Sequence, residues 1–348
     1  MPTRVLIADD SALTRVVLRD LLARDPLIEI VAEAADGRQA VQLTRELRPD
    51  LVIMDIMMPG MDGLDATSEI MADCPTPILV LSANTDSQDS RNAFAAIRLG
   101  ALDVMEKPSG VISDAFDTIA VQLIARVKSL SRIRVIHHFR GMARRQPRET
   151  LPPAACLPAG IYSLLAIGAS TGGPQAVLSL LRELPANLTA TILVVQHIAD
   201  GFAPGFAAWL RRETGHRIAL AEEGQELPPG QILIAPNGRH LTVADRRVRL
   251  SDAAPLHNCR PAVDALFQSL ADQGLAPATV AVLLTGMGQD GARGLLALKQ
   301  AGALTLAQDQ ASSAIFGMPK AAIECGAVDR VLPLAQMPET LRALFAAG

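Results

Sequence analysis

Three residues in the second half of the chain have the side chains of a nucleophile, a base and an acid. Ser170, His197 and Asp290 each follow a short apolar run that has the length of a buried strand. A serine needs a base that takes its proton as it attacks, and a histidine needs an acid that fixes its tautomer. If the three runs are parallel strands of one sheet, their ends meet at one edge and these residues can form a nucleophilic site.

The serine lies in a stretch that combines a tight turn with the start of a helix. Residues 164–174 read L-L-A-I-G-A-S-T-G-G-P. Glycines let a substrate approach the backbone closely, and a helix start supplies unpaired N–H groups and a positive dipole end. Taken alone, this stretch is compatible with a nucleophile, a phosphate-binding loop or a plain turn. A second glycine-rich stretch, 285–291, lets backbone N–H groups, including that of Met287, reach a developing oxyanion.

Each of these residues also has a structural explanation, and the chain contains competitors. A histidine after a strand is often structural, and an aspartate before glycine is often a turn residue. The other candidate bases are His216, His240 and His257. The G-x-S-x-G spelling at 168–172 fits the nucleophile elbow of α/β hydrolases, whose order of serine, acid and histidine would select Asp245 and His257. Because those two lie near a predicted hairpin, we favour the three residues at the strand ends.

A second group of residues with reactive or metal-binding side chains follows successive strands in the first half. Asp9 and Asp10 follow the first predicted strand, Asp55 the third, Ser82 the fourth and Lys107 the fifth. Three carboxylates that converge repel one another unless a hard cation is present, and their oxygen atoms suit Mg²⁺. A carboxylate beside Mg²⁺ and a lysine is arranged for in-line phosphoryl transfer onto itself. The repeated placement at strand ends argues against a chance set of loop carboxylates.

Both halves alternate strand and helix patterns, which predicts an α/β fold with parallel, doubly wound sheets. Residues 1–127 give five strand–helix repeats, a (βα)5 domain. Residues 161–348 restart the alternation as a mostly parallel hydrolase-type domain with a β-hairpin inserted at 239–250. The predicted strands are 5–8, 28–32, 51–54, 77–81 and 102–105, then 164–167, 191–195, 231–235, 279–284, 303–305 and 328–332. The predicted helices of the second half are 174–183, 203–213, 261–272, 292–300 and 337–346.

The segment that joins the halves, residues 128–160, is predicted to be a basic, proline-containing linker. Between Arg126 and Arg148 the charged residues are all Lys or Arg, and four prolines at 147, 152, 153 and 158 then interrupt any helix. Such a basic run is either a solvated face or a docking strip for an acidic partner or for the other domain.

Composition limits the class of protein. A chain of 348 residues is long enough for two domains with cores. A net charge of −4 and an aromatic content of 3% argue against nucleic-acid binding. The N-terminus lacks a signal-peptide pattern, and no apolar run approaches membrane-spanning length. The four cysteines are widely separated, which indicates reduced thiols. We therefore expect a cytoplasmic protein that is not inserted in a membrane.

Residues 1–127 resemble the receiver domain of bacterial response regulators. The shared motifs are D-D-S at 9–11, D-I-M-M-P-G-M-D-G at 55–63, L-S-A at 81–83 and E-K-P at 106–108. The resemblance implies that Asp55 accepts a phosphoryl group from a histidine kinase while Asp9, Asp10 and Asp55 hold Mg²⁺. It also implies that Ser82 and Lys107 contact the phosphoryl oxygens. Many receivers carry an aromatic switch residue where this chain has Val104, so output is expected to run through domain contact.

The second half resembles the catalytic domain of the chemotaxis protein-glutamate methylesterases, the CheB family. The shared motifs are I-G-A-S-T-G-G-P at 167–174, V-V-Q-H-I at 194–198, I-A-P-N-G-R-H-L at 234–241, C-R-P-A-V-D-A-L-F at 259–267, L-L-T-G-M-G-Q-D-G-A at 283–292 and A-Q-D-Q-A-S-S-A-I-F-G-M-P at 307–319. The resemblance implies Ser170 as nucleophile, His197 as base, Asp290 as the orienting acid and Met287 at the oxyanion. Asn237 stands where many relatives have glycine, a difference expected to matter little.

The combined resemblance implies a phosphorylation-activated serine hydrolase of bacterial chemotaxis. Its substrates would be γ-glutamyl methyl esters, and particular glutamines, on chemoreceptors, and the unphosphorylated receiver would pack over the active site. We expect a chemotaxis histidine kinase as phosphodonor, no cofactor in the catalytic domain, and a monomer. The alternatives are a receiver fused to a DNA-binding half or to a non-catalytic receptor-binding half. A DNA-binding half would be expected to carry a helix-turn-helix with a basic recognition helix, which the strand–helix alternation does not provide.

Overall fold

Two parallel sheets covered by helices form the frame that positions both groups of residues. The computed structural model describes residues 1–82, 87–108, 114–133 and 162–345. The predicted linker therefore lies, from residue 134 onward, outside the described residues, as does Ala83 of the L-S-A motif. Within the part of the chain that the structure describes, no helix combines the length and the apolar character needed to cross a membrane.

The first sheet has the strand order β2-β1-β3-β4-β5. Its three central strands are largely apolar and buried, because helices cover both faces of the sheet. Side chains of Ser11, Asp36 and Asp62 cap the three helices that follow by accepting a backbone N–H. The elements are β1 Thr3–Ala8, α1 Ala12–Leu22, β2 Ile28–Ala34, α2 Gly37–Leu47, β3 Leu51–Asp55, α3 Gly63–Asp73, β4 Ile78–Ser82, α4 Ser87–Leu99, β5 Asp103–Glu106 and α5 Asp114–Leu130. The five predicted strands are confirmed.

The second sheet has the strand order β14-β13-β12-β6-β7-β9-β8, and every strand pair in it is parallel. The elements of the second half are β6 Leu164–Ala169, α6 Gly173–Arg182, β7 Thr191–Gln196, α7 Ala203–Thr214, β8 Arg217–Leu220, β9 Gln231–Ile234, β10 His240–Ala244, β11 Arg247–Ser251, α8 Val263–Asp272, β12 Thr279–Leu283, α9 Ala292–Gln300, β13 Leu304–Gln308, α10 Met318–Glu324, β14 Arg330–Leu332 and α11 Met337–Phe345. The predicted α/β class with parallel sheets is confirmed.

The predicted hairpin is the antiparallel pair β10–β11, which forms a separate small sheet. Its turn residues Asp245 and Arg246 both have positive φ, as a tight two-residue turn requires. Two elements were not predicted. The strand β8 is a short edge strand whose only buried side chain is Ile218, and α10 is a helix of 7 residues that begins at a Met-Pro pair. Neither is long enough to show a clear periodicity.

The predicted domain boundaries remain predictions. Helix α5 runs on to Leu130, past the expected end of the first domain at residue 127. The expected start of the second domain, residue 161, lies next to the first described residue of that half, Tyr162.

An aromatic seam joins the two halves. Phe94 of α4 stacks on Trp209 of α7, with ring centroids 5.4 Å apart and ring planes 21° apart. Its ring centroid also lies 5.6 Å from that of Phe206 and 6.4 Å from that of Phe202. All four rings are buried. Aromatic pairs of this kind contribute about 0.5–1.5 kcal/mol each beyond the burial of their area. The seam, which we define as these four residues, therefore holds α4 against α7.

Truncating the seam should separate the halves without unfolding either one. We expect Phe94→Ala to remove about 3–5 kcal/mol of packing energy, the usual cost of a buried Phe→Ala change. Calorimetry should then resolve two unfolding transitions, and small-angle scattering should give a larger radius of gyration. Val121→Ala on the exposed side of α5 is the matched control. A variant at Phe94 with the wild-type radius and transition would show that the seam does not hold the halves together.

Candidate active site and phosphoacceptor site

Ser170, His197 and Asp290 lie in the loops that follow three adjacent strands. These strands are β6, β7 and β12, and β6 is the middle one. The strand order reverses between β6 and β12, because β6 has the next strand in sequence on one side and a much later strand on the other. A crevice opens at such a switch point, at the carboxyl ends of the strands. The topology therefore brings the three candidate residues to one crevice.

Asp290 holds one side of the His197 ring. Its Oδ2 lies 2.8 Å from Nε2 of His197. The same carboxylate accepts backbone N–H groups from Val263 at 2.7 Å, and from Asp264 and Gly291 at 2.9 Å each. Burial raises the pKa of Asp290, but the imidazole and the backbone donors outweigh burial and hold the pKa below its usual value. An ionised acceptor on Nε2 requires a proton on that nitrogen, so Nδ1 is the nitrogen left to act as a base.

The same pair changes the proton affinity of His197. Burial alone would lower the pKa of this imidazole, but hydrogen bonds and charge from Asp290 and Cys259 outweigh burial and raise the pKa to about 9. The imidazolium is thus stabilised in the resting protein. Stabilisation of the imidazolium is what a general base needs at the moment it takes a proton.

The turn that carries Ser170 is fixed by its backbone. The Ser170 N–H donates to the carbonyl of Thr285 at 3.0 Å, and the Ser170 carbonyl accepts the Gln196 amide at 2.7 Å. Gly172 has a φ of 74°, a backbone conformation that residues other than glycine rarely adopt. A methyl group at Gly286 would lie 2.7 Å from Cβ of Ser170. Gly172 and Gly286 thus allow the loop after β12 to approach the serine turn closely.

Two backbone N–H groups near the serine are free to bind an oxyanion. Among the described residues, neither the N–H of Thr171 nor that of Met287 donates a hydrogen bond. Thr171 directly follows the serine. Met287 directly follows Gly286, whose backbone packs against Ser170. Unpaired donors beside a nucleophile are the arrangement that stabilises a tetrahedral intermediate.

Side chains of the first half contact both of these loops. Asp103, at the start of β5, forms an ion pair with Arg126 of α5, and the Thr171 hydroxyl lies beside its carboxyl group. Burial raises the pKa of the Asp103 carboxyl, and Arg126 offsets only part of that effect. The Ser129 hydroxyl of α5 lies 3.1 Å from Sδ of Met287. The receiver-like half therefore directly contacts the loop that carries Ser170 and the loop that carries Met287.

The competing bases have other partners. Nε2 of His216 bonds the carbonyl of Leu181 at 3.0 Å, and His240 is held between two backbone groups of the neighbouring loop. His257 pairs with Asp264 at 2.9 Å. Asp245 occupies the tip of the hairpin. The structure thus gives these histidines positioning roles and leaves His197 as the imidazole beside the serine loop.

The first half gathers its predicted residues at the carboxyl edge of its own sheet. Nζ of Lys107 lies 2.8 Å from a carboxylate oxygen of Asp9 and 2.8 Å from one of Asp55. Asp9, Asp10 and Asp55 offer oxygen atoms that all lie within 4.8 Å of one another. Ser82 is buried at the end of β4, and its carbonyl accepts the Lys107 N–H at 2.8 Å. The five predicted residues therefore form one cluster.

The charges of this cluster fit a hard divalent cation. Burial raises the pKa of Asp55, the charge of Asp9 adds to that effect, and Lys107 opposes both. Burial lowers the pKa of Lys107, but its two carboxylate partners outweigh burial and raise that pKa overall. A buried carboxylate beside a second carboxylate is difficult to ionise. One lysine does not supply enough positive charge to offset this effect. An all-oxygen donor set of this kind suits Mg²⁺.

A second group with metal-ligand chemistry, made of His257, Asp264 and Asp290, is a hydrogen-bond network. Each of the four carboxylate oxygens already accepts a bond. Those of Asp264 accept from His257 and from the Gly294 N–H, and those of Asp290 accept from His197 and three backbone groups. The network joins the loop after β12 to the N-terminus of α8.

Several residues around the site could not be singled out from the sequence. Phe94, Asp103 and Cys259 act through contacts with residues far away in the chain, and no local pattern marks such contacts. Asn237 accepts the Ala203 N–H at 2.9 Å and so caps α7. The sequence analysis expected this residue to matter little, and no local pattern indicates its partner on α7.

The first half is a five-stranded sheet of order 2-1-3-4-5 with an acidic cluster and a lysine. The second half is a doubly wound sheet with a serine crevice. Together they define a response regulator with an enzymatic output half. Family models agree with this class. The response regulator receiver domain matches residues 5–113, and the CheB methylesterase domain matches residues 165–341. The chain belongs to the CheB family of response-regulator methylesterases. A DNA-binding or non-catalytic output half is therefore not favoured.

Named relatives cover nearly the whole chain. The protein-glutamate methylesterase/protein-glutamine glutaminase 2 of Anaeromyxobacter dehalogenans (strain 2CP-C) is 47% identical over 99% of this chain and 97% of its own length. A relative with the same enzyme name from Pyrococcus abyssi is 40% identical over 97% of this chain and 92% of its own length. The crystal structure of the Thermotoga maritima CheB methylesterase catalytic domain is 38% identical, with a TM-score of 0.50, over 52% of this chain and 97% of that one.

The His197–Asp290 pair should leave a signature in the pH dependence of stability. The pKa of His197 is raised from 6.5 to about 9, so its contribution to folding is fully present below pH 6.5 and is lost as the pH rises through about 9. We expect Asp290→Asn to be less stable than the wild type, with a difference in the free energy of unfolding that shrinks over this interval. Urea denaturation across the range measures it. A difference independent of pH would mean that Asp290 does not stabilise the imidazolium.

Proposed function

We propose that this enzyme is a phosphorylation-activated serine hydrolase that removes methyl groups from γ-glutamyl methyl esters on the cytoplasmic helices of chemoreceptors. The observation that carries the proposal is the His197–Asp290 pair, 2.8 Å apart, at a strand end beside the Ser170 turn. The family and the names of its relatives support the substrate class. The enzyme would act in the cytoplasm, where those receptor helices lie, as a monomer that binds its receptors and its kinase in turn.

The reaction follows from the geometry of the crevice. Ser170 Oγ attacks the ester carbonyl carbon while Nδ1 of His197 takes the serine proton and Asp290 stabilises the imidazolium. The N–H groups of Thr171 and Met287 bind the oxyanion. As the intermediate collapses, the imidazolium gives its proton to the departing methoxide, and methanol leaves. Water then attacks the acyl-enzyme by the same steps and releases glutamate. Deamidation of glutamine uses the same attack, with ammonia as the leaving group.

Asp55 is the proposed phosphoacceptor of the first half. Its carboxylate attacks the phosphorus of a phosphohistidine on the chemotaxis kinase, and the bond from phosphorus to the histidine nitrogen breaks. Asp9, Asp10 and Asp55 would hold Mg²⁺, which neutralises charge on the transferred phosphoryl group. Lys107, which already lies 2.8 Å from Asp55, and the hydroxyl of Ser82 would contact the phosphoryl oxygens.

The contacts between the halves supply the control. A phosphoryl group on Asp55 alters the ion pair with Lys107, and Lys107 directly follows β5, the strand that carries Asp103 at its other end. Asp103 lies beside Thr171, the residue next to the proposed nucleophile. A shift of β5 would therefore release the serine loop and weaken the cover over the crevice. This is a two-state equilibrium biased by a local change in charge.

Removing the nucleophile tests the hydrolase itself. We expect Ser170→Ala to lower the rate of methanol release from methylated receptor membranes by roughly 10³-fold or more, because no other group forms the acyl-enzyme. Phosphorylation of Asp55 should be unchanged, which shows that the variant is folded. Ser163→Ala at an exposed position is the matched control. Retained methanol release in the Ser170 variant would remove this residue as the nucleophile.

Removing the phosphoacceptor tests the control. Acetyl phosphate with Mg²⁺ should stimulate methanol release by the wild type and by Asp20→Asn, which changes an exposed carboxylate on α1. Asp55→Asn should keep the low basal rate and lose the stimulation, since no acyl phosphate can form. The comparison of rates with and without phosphodonor measures it. Equal stimulation of the Asp55 variant would place control elsewhere.

A further inference from the structure

The nitrogen of His197 that should serve Ser170 has a different neighbour in the resting protein. Sγ of Cys259 lies 3.6 Å from Nδ1, while Asp290 holds Nε2. Among the described residues, the Ser170 hydroxyl makes no hydrogen bond. The sulfur of a thiol is a weak hydrogen-bond acceptor, so it can accept a bond from a protonated Nδ1. The base therefore rests against a sulfur rather than against the serine.

The position of this thiol is set by the backbone. Leu256 and Cys259 exchange two backbone hydrogen bonds, 2.8 and 3.1 Å long, across a tight turn. The two residues between them, His257 and Asn258, both have positive φ. The His257 side chain anchors the turn to Asp264 at 2.9 Å. A short side chain on a turn closed in this way has little freedom, so its contact with His197 is a fixed feature of the site.

The Cys259–His197 contact also has a clear electrostatic effect. The titratable groups that act on His197 are Asp290 from the loop after β12 and Cys259 from the turn before α8. Behind Asp290 lies the His257–Asp264 pair. Asp290 is needed to orient the ring, so Cys259 is the partner that can be altered while the orientation is kept. Both partners raise the pKa of His197, whereas burial lowers it.

We propose that Cys259 is a positioning residue of the esterase: its sulfur holds the Nδ1 side of His197 in a protonated resting state, and the ring must exchange this sulfur for Ser170 before it can act as a base. The proposal rests on the proposed function for its catalytic consequence, but the state of His197 can be measured without any substrate. Cys259 touches the base and need not touch the substrate. Its effect is to lower the activity of the resting enzyme at neutral pH.

The test compares the full-length Cys259→Ala and Cys259→Ser variants with the wild type. Cys325→Ala, which removes an exposed thiol, is the matched control. NMR titration of the His197 ring, assigned with His197→Gln, should show a lower pKa in Cys259→Ala by about one unit, with Cys259→Ser between the two. The acid limb of kcat/KM for methanol release should move to lower pH by the same amount, which gives about tenfold higher kcat/KM near pH 7.

The outcomes separate the two proposals. An unchanged His197 titration in both Cys259 variants overturns the positioning role, and so does a shifted titration with an unshifted acid limb. A shifted titration in a wild-type protein that releases no methanol would refute the methylesterase proposal while the Cys259–His197 coupling stands. If Cys259→Ala fails to fold, the same criteria apply to Cys259→Ser, which keeps the size of the side chain.

Discussion

The buried pair of His197 and Asp290 is the interaction on which the proposed chemistry of this enzyme depends. Asp290 is held by three backbone N–H groups from two elements, so it stays ionised and cannot rotate away from the ring. A buried charge is costly unless it is paired in this way. Because Nε2 of His197 is bonded to Asp290, the proposed proton transfers pass through Nδ1. The serine turn, the proposed oxyanion donors and the Cys259 turn are all arranged around the ring orientation that Asp290 sets.

The second constraint is that the crevice and the receiver share a surface. Phe94 stacks on Trp209, Asp103 lies beside Thr171, and Ser129 contacts Met287. The aromatic contact holds the two halves together, and the two polar contacts fall on the loops that carry the proposed nucleophile and the proposed oxyanion donors. In the proposed mechanism, a small shift of β5 or α5 would therefore reach the catalytic loops directly. Val104, in place of an aromatic switch residue, is consistent with output through these contacts.

Sequence patterns were sufficient for the sheet framework and for the residues at strand ends. Apolar runs of strand length, each followed by Ser170, His197, Asp290 or an acidic residue of the receiver, indicate the carboxyl edge of a parallel sheet. They were insufficient for β8 and α10, which are too short to show periodicity. They also could not indicate Phe94, Asp103 or Cys259, because each acts through a partner far away in the chain. The hydrogen-bond role of Asn237 was missed for the same reason.

The central claim is that Ser170 is the nucleophile and that chemistry at Asp55 governs its exposure. The most direct measurement is the rate at which a fluorophosphonate labels the full-length protein, with mass spectrometry to identify the labelled residue. Labelling should occur at Ser170, should be several-fold faster with acetyl phosphate and Mg²⁺, and should lose that acceleration in Asp55→Asn. Labelling at another residue, or an equal rate with and without the phosphodonor, would contradict the claim.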